Sequence, residues 1–451
     1  MPWDTLIRNG QVVTPTGVRA ADIAIEAGQI VEIAPGLAGS AREAIEAAGL
    51  HVFPGVIDPH VHFNEPGRTE WEGFATGSAA LAAGGGTCFF DMPLNSSPPT
   101  LDGPSFDLKL AAARANSRTD FALWGGLTPK NLDRMEELAE RGVIGFKAFM
   151  SGSGIDDFDR ADDLTLYRGM QIAKRLGLPV AVHAESEEIT SGLTREIRAR
   201  GGKTWRDYLA SRPIVAEVEA IQRAITLAGE TGCKLHIVHV ANSRGSELVR
   251  LAKQFIGADV TCETCPHYLT FDSDDLERIG TALKCAPPVR TRADVEELWQ
   301  DLFDGKFCFV ASDHSPAPAA MKTGDVPFSI WGGIAGVQST LAVLLSHKPA
   351  LPIDRVARLT SSNVVERFGI ERKGRIDVGV DADLAFVDRS TSYTLSREML
   401  HDRHKLSPYV GRMFEGVVRR TFVCGHTVFR DGRIIDDGFR GQLIKSRRAG
   451  T

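Results

Sequence analysis

Four short segments of the chain carry side chains that bind divalent metal ions in proteins. In Asp58-Pro59-His60-Val61-His62 the histidines are two positions apart, so both imidazoles point the same way if the segment is extended. The other three segments contain His183, the pair His236 and His239, and Asp313. Imidazole nitrogen and carboxylate oxygen suit zinc or a similar divalent cation, so the sequence predicts a metal site.

The spacing of the histidines predicts which of them face this metal site. His236 and His239 are three positions apart and point to opposite sides of a strand, and His239 is predicted as the ligand because it lies nearer the strand end. The same rule turns His314 away from Asp313. A single histidine at a strand end is more often structural, but three such ends with a carboxylate favour a metal. Three further histidines are given no metal role: His51, His267 and His426.

One lysine lies inside an otherwise apolar run, Val143 to Met150. Burial of an unpaired ammonium is unfavourable and tends to remove its proton, which would leave Lys147 neutral. A buried stem with a paired or solvent-reaching charge is the alternative. Beside a metal site, a neutral amine can instead add carbon dioxide, and the resulting carbamate has two oxygens able to bridge two cations. The residues alone leave both interpretations open.

The elements that must position these groups follow a βα rhythm. From about Val52 to Phe368, short apolar runs alternate with longer segments rich in Ala, Leu, Glu and Arg, a pattern typical of a parallel sheet. Eight such units predict an α/β fold, a closed (β/α)8 TIM barrel with its chemistry at the carboxyl ends of the strands. The predicted strands are 52–57, 87–91, 121–124, 143–146, 180–182, 235–238, 259–262 and 307–311.

Both ends of the chain contain short β-like runs separated by Gly and Asn turns. We expect the two ends to build one small β-sandwich domain, from 1–52 plus 374–451, beside the barrel domain at 53–373.

Composition excludes several classes of function. The 451 residues are 43% hydrophobic and 24% charged, and Lys+Arg total 52 against 58 for Asp+Glu, a net charge of −6 that argues against a nucleic-acid partner. The sequence has no membrane-spanning apolar run and no signal-peptide pattern, so a cytoplasmic location and no membrane partner are expected. Cys262 and Cys265, followed by His267, have knuckle-like spacing, but without a second ligand pair we predict buried thiols.

Together these motifs resemble the cyclic amidohydrolases of the amidohydrolase superfamily: dihydroorotases, hydantoinases, dihydropyrimidinases and allantoinases. The resemblance runs from the N-terminal sheet to Gly379-Val380-Asp381-Ala382-Asp383-Leu384. It implies two divalent metal ions, zinc first and cobalt, manganese or iron otherwise, in a dimer or tetramer. It further implies that one ion is bound by His60, His62, carboxylated Lys147 and Asp313, and the second by His183 and His239.

The loops are most similar to those of allantoinases. In His62-Phe63-Asn64-Glu65-Pro66-Gly67-Arg68, Asn64 takes the place where dihydroorotases usually have an arginine, and Asp91-Met92-Pro93-Leu94-Asn95-Ser96 also matches. Lys284-Cys285-Ala286-Pro287-Pro288-Val289-Arg290 and Trp331-Gly332-Gly333-Ile334-Ala335-Gly336-Val337-Gln338 match too. The predicted substrate contacts are Asn64, Ser315, Cys285, Ala286 and Gly332, although Asn64 and Ser315 would equally serve as turn residues.

The implied reaction is hydrolysis of the ring amide of allantoin, a neutral small molecule, to allantoate. Hydroxide shared by the two ions would attack, with Asp313 as the catalytic proton carrier. The alternatives are a hydantoinase or dihydropyrimidinase, a dihydroorotase, or a non-catalytic scaffold relative, and the complete ligand set argues against the scaffold.

Overall fold

The computed structural model describes residues 2–447, and they form a mixed α/β fold with parallel sheets. The strands are β1 (Trp3–Thr14), β2 (Gly17–Glu26), β3 (Gln29–Ala34), β4 (Ala41–Glu46), β5 (His51–Pro54), β6 (Val56–Val61), β7 (Gly86–Asp91), β8 (Asp120–Leu123), β9 (Gly125–Gly126), β10 (Phe146–Phe149), β11 (Val180–His183), β12 (Leu235–Ile237), β13 (Val260–Thr264), β14 (Phe309–Val310), β15 (Leu384–Thr394), β16 (Met413–Val423), β17 (His426–Arg430) and β18 (Arg433–Ile434). The helices are α1 (Phe74–Ala83), α2 (Gly103–Asn116), α3 (Met135–Arg141), α4 (Asp163–Leu176), α5 (Glu187–Ala199), α6 (Trp205–Ser211), α7 (Ile214–Thr231), α8 (Ser243–Leu251), α9 (Ser273–Ile279), α10 (Arg292–Asp304), α11 (Thr340–Ser346), α12 (Ile353–Ala357) and α13 (Asn363–Phe368). Within residues 2–447, none of these helices is long and apolar enough to cross a membrane.

Strands from both ends of the chain form one nine-stranded sheet. Its order is β18-β17-β16-β15-β5-β1-β2-β3, and β4 pairs with β1. The two ends meet where β5 pairs antiparallel with β15, with Val52 opposite Phe386, and both side chains lie in the core of this sheet. The layers of a sandwich and the domain bounds stay predictions.

The middle of the chain contains two parallel sheets. Six strands have the order β14-β13-β12-β11-β10-β9, and three have the order β6-β7-β8. Because neighbouring parallel strands run the same way, the segments that follow β6, β11, β12 and β14 emerge at one end of the sheets. Closure of the two sheets into one barrel stays a prediction at this point.

The first predicted strand, 52–57, is in fact two strands in two different sheets. The chain crosses from the terminal sheet to the parallel sheet at Gly55, whose N–H donates to Asp383 O. A side chain at Gly55 would meet the Thr87 side chain at 2.2 Å, so only glycine fits between the sheets. The apolar run on both sides of Gly55 concealed this break, because β5 and β6 are both buried.

The fourth predicted strand, 143–146, is displaced along the chain. The structure begins β10 at Phe146, after Gly142 has ended α3 with a left-handed φ of 101°. The prediction was wrong because the whole run from Val143 to Met150 is buried, so hydrophobicity alone did not mark where pairing starts. As a consequence, Lys147 lies within the strand, opposite Ala181 of β11.

Helix α7 illustrates how the outer helices support the site. It buries a row of small side chains at a spacing of four, Ala216, Ala220 and Ala224, which brings the helix close to the parallel sheet. Glu217 on the same helix accepts the Ala241 N–H at 2.8 Å. This contact fixes the segment that follows β12, where a predicted metal ligand lies.

Candidate metal centre

The predicted ligands lie at the carboxyl ends of the parallel strands. His60 is the second-last residue of β6, and His183 is the last residue of β11. His239 follows the end of β12 by two residues, and Asp313 follows the end of β14 by three. His239 and Asp313 have φ values of 41° and 46°, conformations that non-glycine residues rarely adopt. Each contributes about 1–3 kcal/mol of backbone strain, which suggests that the position of the side chain is under functional constraint.

Three of the ligand side chains converge on one point. Asp313 Oδ1 lies 3.2 Å from His60 Nε2 and 3.4 Å from His62 Nε2. The ligand atoms of the three residues all lie within 4.8 Å of one another, and both histidines are buried. The geometry is that of side chains around a single small cation.

The other two histidines form an adjacent pair. His183 Nδ1 and His239 Nε2 are 3.0 Å apart, and both rings are buried. The His239 ring lies 5.5 Å from that of His60, so the pair borders the first group of ligands. His236 points the other way, toward Thr261 Oγ1 at 2.8 Å and Glu263 Oε2 at 3.0 Å. The structure therefore places His239 and not His236 beside the site.

Lys147 lies near both groups of ligands, since its charge acts on His60, His183 and His239. The side chain is fully buried, its Nζ has no hydrogen-bond partner among the described residues, and it lies 5.0 Å from the Phe149 ring centroid. Burial lowers the pKa of Lys147 to about 8, although the carboxylates of Asp313 and Glu263 act in the opposite direction. Burial thus favours the neutral amine relative to an exposed lysine.

The proton positions around His60 indicate that the donor set fits a cation. Burial and the nearby Lys147 charge hold the pKa of His60 well below its usual value, so the ring is neutral and carries one N–H. We assign that proton to Nδ1, which lies 2.5 Å from Glu263 Oε1, because this carboxylate also accepts the His239 N–H. The Nε2 lone pair then faces an Asp313 oxygen at 3.2 Å, and two acceptors at that distance repel unless a cation lies between them.

Two carboxylates that sequence reasoning did not assign hold the histidines in place. Glu263 contacts His60 and His236, and burial raises its pKa well above the usual value, an effect that the positive charge of a bound metal would oppose. Glu185 accepts from His183 Nε2 at 2.8 Å and also from Arg212. Such partners fix the orientation of metal-binding histidines. Glu185 lies two residues after His183, and this spacing could have predicted it as a partner of that histidine. Glu263 lies between Cys262 and Cys265, where no local pattern points to a histidine.

The ligands open onto a cavity of about 480 Å³. His60, His62, His183, His239 and Asp313 line one part of it. Four of the predicted substrate contacts also line it: Ser315, Cys285, Ala286 and Gly332. The volume is sufficient for a small ring compound with a substituent.

Asn64 is placed differently from the other predicted substrate contacts. It is fully buried with φ 65°, its Nδ2 donates to Pro316 O at 3.4 Å, and it is not among the residues that line the cavity. Asn95 lies on the cavity instead, and its Nδ2 contacts Ser315 Oγ at 3.4 Å. Asn95 lies in the segment from Asp91 to Ser96, but no role was predicted for it from the sequence.

A second acidic group lies away from the cavity. Asp120, Asp383 and Cys424 come together where the terminal sheet meets β8, and Lys373 Nζ lies 2.6 Å from an oxygen of each aspartate. The ammonium supplies the positive charge that this group needs, so it is a structural ion cluster. The knuckle-like cysteines are buried free thiols, as predicted.

Comparisons with known proteins agree with this site. The model of the Amidohydrolase family matches residues 51–434. The chain is 57% identical to a protein named allantoinase from Rubrobacter xylanophilus, covering 99% of this chain and 98% of that protein. It is 42% identical to an allantoinase from Escherichia coli over 98% of this chain and 99% of that protein. Among solved structures, the L-hydantoinase (dihydropyrimidinase) from Arthrobacter aurescens has a TM-score of 0.95 at 34% identity, covering 98% of this chain and 100% of that chain. The chain belongs to the amidohydrolase family.

Proposed function

We propose that the chain is an allantoinase that opens the ring of allantoin by hydrolysis of a ring amide, giving allantoate. The observation that carries the proposal is the convergence of ligand atoms from His60, His62 and Asp313 at the wall of a cavity of about 480 Å³. The substrate is taken from the relatives named allantoinase, which match over nearly the whole chain. The activity is that of a hydrolase acting on a cyclic amide.

The same residues would hold two divalent ions. His60, His62 and Asp313 would hold one ion and His183 and His239 the second, and Lys147, carboxylated by carbon dioxide, would supply a ligand to both. Zinc is the first expectation, and cobalt, manganese or iron suit the same donors. When bound, such ions lower the pKa of water and polarise a carbonyl group. The partner-free, buried amine of Lys147 supports the carboxylation.

Asp313 is assigned as the proton carrier. Its side chain is 13% exposed and lines the cavity, so it is the ligand carboxylate that a substrate can approach. In the hydrolysis, water oxygen bonds to the ring carbonyl carbon and the carbon–nitrogen bond of the ring breaks. Asp313 takes the proton from water and returns it to the departing nitrogen, so that charge and atoms balance.

The substrate contacts are assigned to other residues of the cavity lining. Ser315, Cys285, Ala286 and Gly332 lie there, and Asn95 joins them through its contact with Ser315. We assign Asn64 a supporting role, since it holds the Pro316 carbonyl from behind. Amide and hydroxyl groups suit a neutral ureide, whose ring both donates and accepts hydrogen bonds.

The finer architecture is also a proposal. We infer that the parallel strands close into one (β/α)8 barrel at 53–373, beside a β-sandwich from 1–52 plus 374–451. Hydrogen bonds at both gaps between the sheets support closure: the Ile144 N–H donates to Leu123 O, and the His62 N–H donates to His314 O at 2.8 Å. A dimer or tetramer is the expected assembly, and sedimentation analysis would test it.

A substrate panel tests the proposed function. The purified protein, loaded with zinc, is assayed with allantoin, dihydroorotate and unsubstituted hydantoin, and the products are identified by ¹³C NMR. We expect allantoin to have the highest kcat/KM and allantoate to be the product. Preferred turnover of hydantoin would instead assign the activity named for the structural relatives, and a protein that retains no metal after dialysis would support a non-catalytic role.

A further inference from the structure

Two neighbouring buried lysines lie at or behind one wall of the cavity. Lys284 and Lys322 are 6% and 5% exposed. In the described part of the chain their ammonium groups donate to main-chain carbonyls: Lys284 to Ile330 O, and Lys322 to Gly333 O and, at 3.3 Å, to Thr281 O. None of the ion pairs within residues 2–447 includes either lysine. Buried lysines without a carboxylate are unusual, because each charge loses its hydration.

Only one of the two lysines faces the cavity. Lys284 lines it, and its Nζ lies 4.9 Å from the ring centroid of Tyr208, a second lining residue. Lys322 lies behind, where it holds the carbonyl of Gly333 in the lining loop. Burial lowers the pKa of Lys284 to about 8 and that of Lys322 to about 7, with the Arg212 charge adding to the effect on Lys284. Lys284 thus faces the cavity without a carboxylate partner among the described residues, and an acceptor atom of a ligand would stabilise its ammonium form.

The neighbouring cation in this wall already has its partner. Arg212 donates to Glu185, which in turn holds His183. The Arg212 charge also acts on Lys284, whereas none of the predicted metal ligands does. An oxygen bound by Lys284 would therefore belong to a part of the substrate other than the amide under attack.

We propose that Lys284 is a specificity-determining residue that donates a hydrogen bond to the carbonyl oxygen of the ureido arm on the substrate ring, with Lys322 positioning the loop around it. The inference rests on the proposed function and deepens it, because the subsite selects hydantoins that carry an acceptor arm over unsubstituted hydantoin. An ammonium has three donors, and one is used by Ile330 O, so a ligand oxygen can be added without loss of the existing contact.

The test is Lys284→Met, which removes the charge and keeps a long apolar side chain. A hydrogen bond from a charged donor corresponds to an effect of about 10- to 100-fold. We therefore expect the KM for allantoin to rise about 10- to 100-fold, while the Ki of unsubstituted hydantoin as a competitive inhibitor changes less than about threefold. Lys284→Arg keeps a donor and should recover part of the affinity for allantoin. Lys253→Met, a change at an exposed lysine, is the matched control.

The outcomes distinguish failure of the proposed subsite from failure of the proposed function. Absence of allantoin turnover in the unmodified, metal-loaded protein overturns the proposed function itself. Normal turnover with an unchanged ratio of allantoin KM to hydantoin Ki in Lys284→Met overturns only the subsite. Loss of inhibition by allantoate with an unchanged allantoin KM also overturns it, and would assign Lys284 to the product carboxylate. If Lys284→Met does not fold, the same ratio measured in Lys284→Gln decides, because the shorter neutral side chain removes the charge: a raised ratio supports the subsite and an unchanged one refutes it.

Discussion

Replacement of Glu263 by glutamine tests whether the carboxylate behind the ligands controls metal binding. Glu263 is 1% exposed and accepts from His60 Nδ1 at 2.5 Å, His236 Nε2 at 3.0 Å and the His239 N–H at 3.3 Å. Glutamine has the same shape but one acceptor oxygen and one amide that donates. In the variant, one of the two histidines meets a donor where it had an acceptor. When that histidine is His60, its ring is driven toward the tautomer whose proton is on Nε2.

The expected magnitude follows from the contacts. A proton on Nε2 blocks the lone pair that faces Asp313 at 3.2 Å, so the cation must compete with the tautomer preference. A hydrogen bond to a charged group contributes about 1.5–3 kcal/mol, which corresponds to roughly a 10- to 150-fold change in an equilibrium constant. Loss of an outer partner of a metal-binding histidine typically weakens metal binding about 10- to 100-fold. These two estimates of the loss in metal affinity agree, and we expect the Kd of the ion at His60 to rise about 10- to 100-fold.

The assay is competition for zinc with a chelator of known affinity, followed by metal analysis of the protein. Glu188→Gln, at a carboxylate with 68% of its side chain exposed, controls for the loss of one negative charge. Thermal unfolding of the metal-free proteins shows whether the variant folds. Zinc affinity and turnover equal to those of the unmodified protein would refute the assignment of Glu263 as the group that orients His60.

Three further predictions concern other residues. Lys147→Ala should lower turnover about 100-fold or more, because the proposed bridge between the ions is lost. Short carboxylic acids added to the assay should restore part of the rate by supplying an oxygen bridge. Equal rates of the variant with and without the acid, or a rate like that of the unmodified enzyme, would contradict the carbamate. Lys373→Met leaves the buried Asp120 and Asp383 without their cation and should reduce the free energy of unfolding by about 3–5 kcal/mol in urea denaturation, against less than about 0.5 kcal/mol for the exposed Lys253→Met. Burial raises the pKa of Glu217 from 4.5 to about 6 in the folded protein, so its contribution to stability is present below pH 4.5 and is lost as the pH rises through 6. The free energy of unfolding should fall by on the order of 2 kcal/mol over this range, as measured by urea unfolding at a series of pH values. The fall should be absent in Glu217→Gln.

Residue spacing along single segments predicted much of the candidate site. His60 and His62, two positions apart, do lie on the same side of the chain, and the choice of His239 over His236 follows the alternation of a strand. These features depend on local geometry, which a sequence shows directly. The rhythm of strands and helices likewise indicated the parallel sheets, because it repeats throughout the middle of the chain.

What depends on pairing between distant strands was not predictable. Glu263 reaches His236 and His60 only because β13 pairs with β12 in a register that sets His236 opposite Thr261. A shift of one residue would turn Glu263 to the other face of the sheet, and no local pattern fixes that register. The positions of Asn64 and Asn95 also depend on contacts between distant segments. Both residues follow parallel strands, but Asn64 is buried against Pro316, and Asn95 is the one that lines the cavity.

The two carboxylates behind the histidines explain how the same residue type can present different atoms. Glu263 contacts Nδ1 of His60 and so leaves Nε2 facing Asp313, whereas Glu185 contacts Nε2 of His183 and leaves Nδ1 facing His239. The choice of nitrogen is therefore made by the acid and not by the position of the histidine in its strand. Since Glu185 is itself held by Arg212, which lines the cavity, a ligand that moved Arg212 would also act on His183, a proposed metal ligand. A single chain of contacts from Arg212 to His183 thus joins the cavity wall to the proposed metal site.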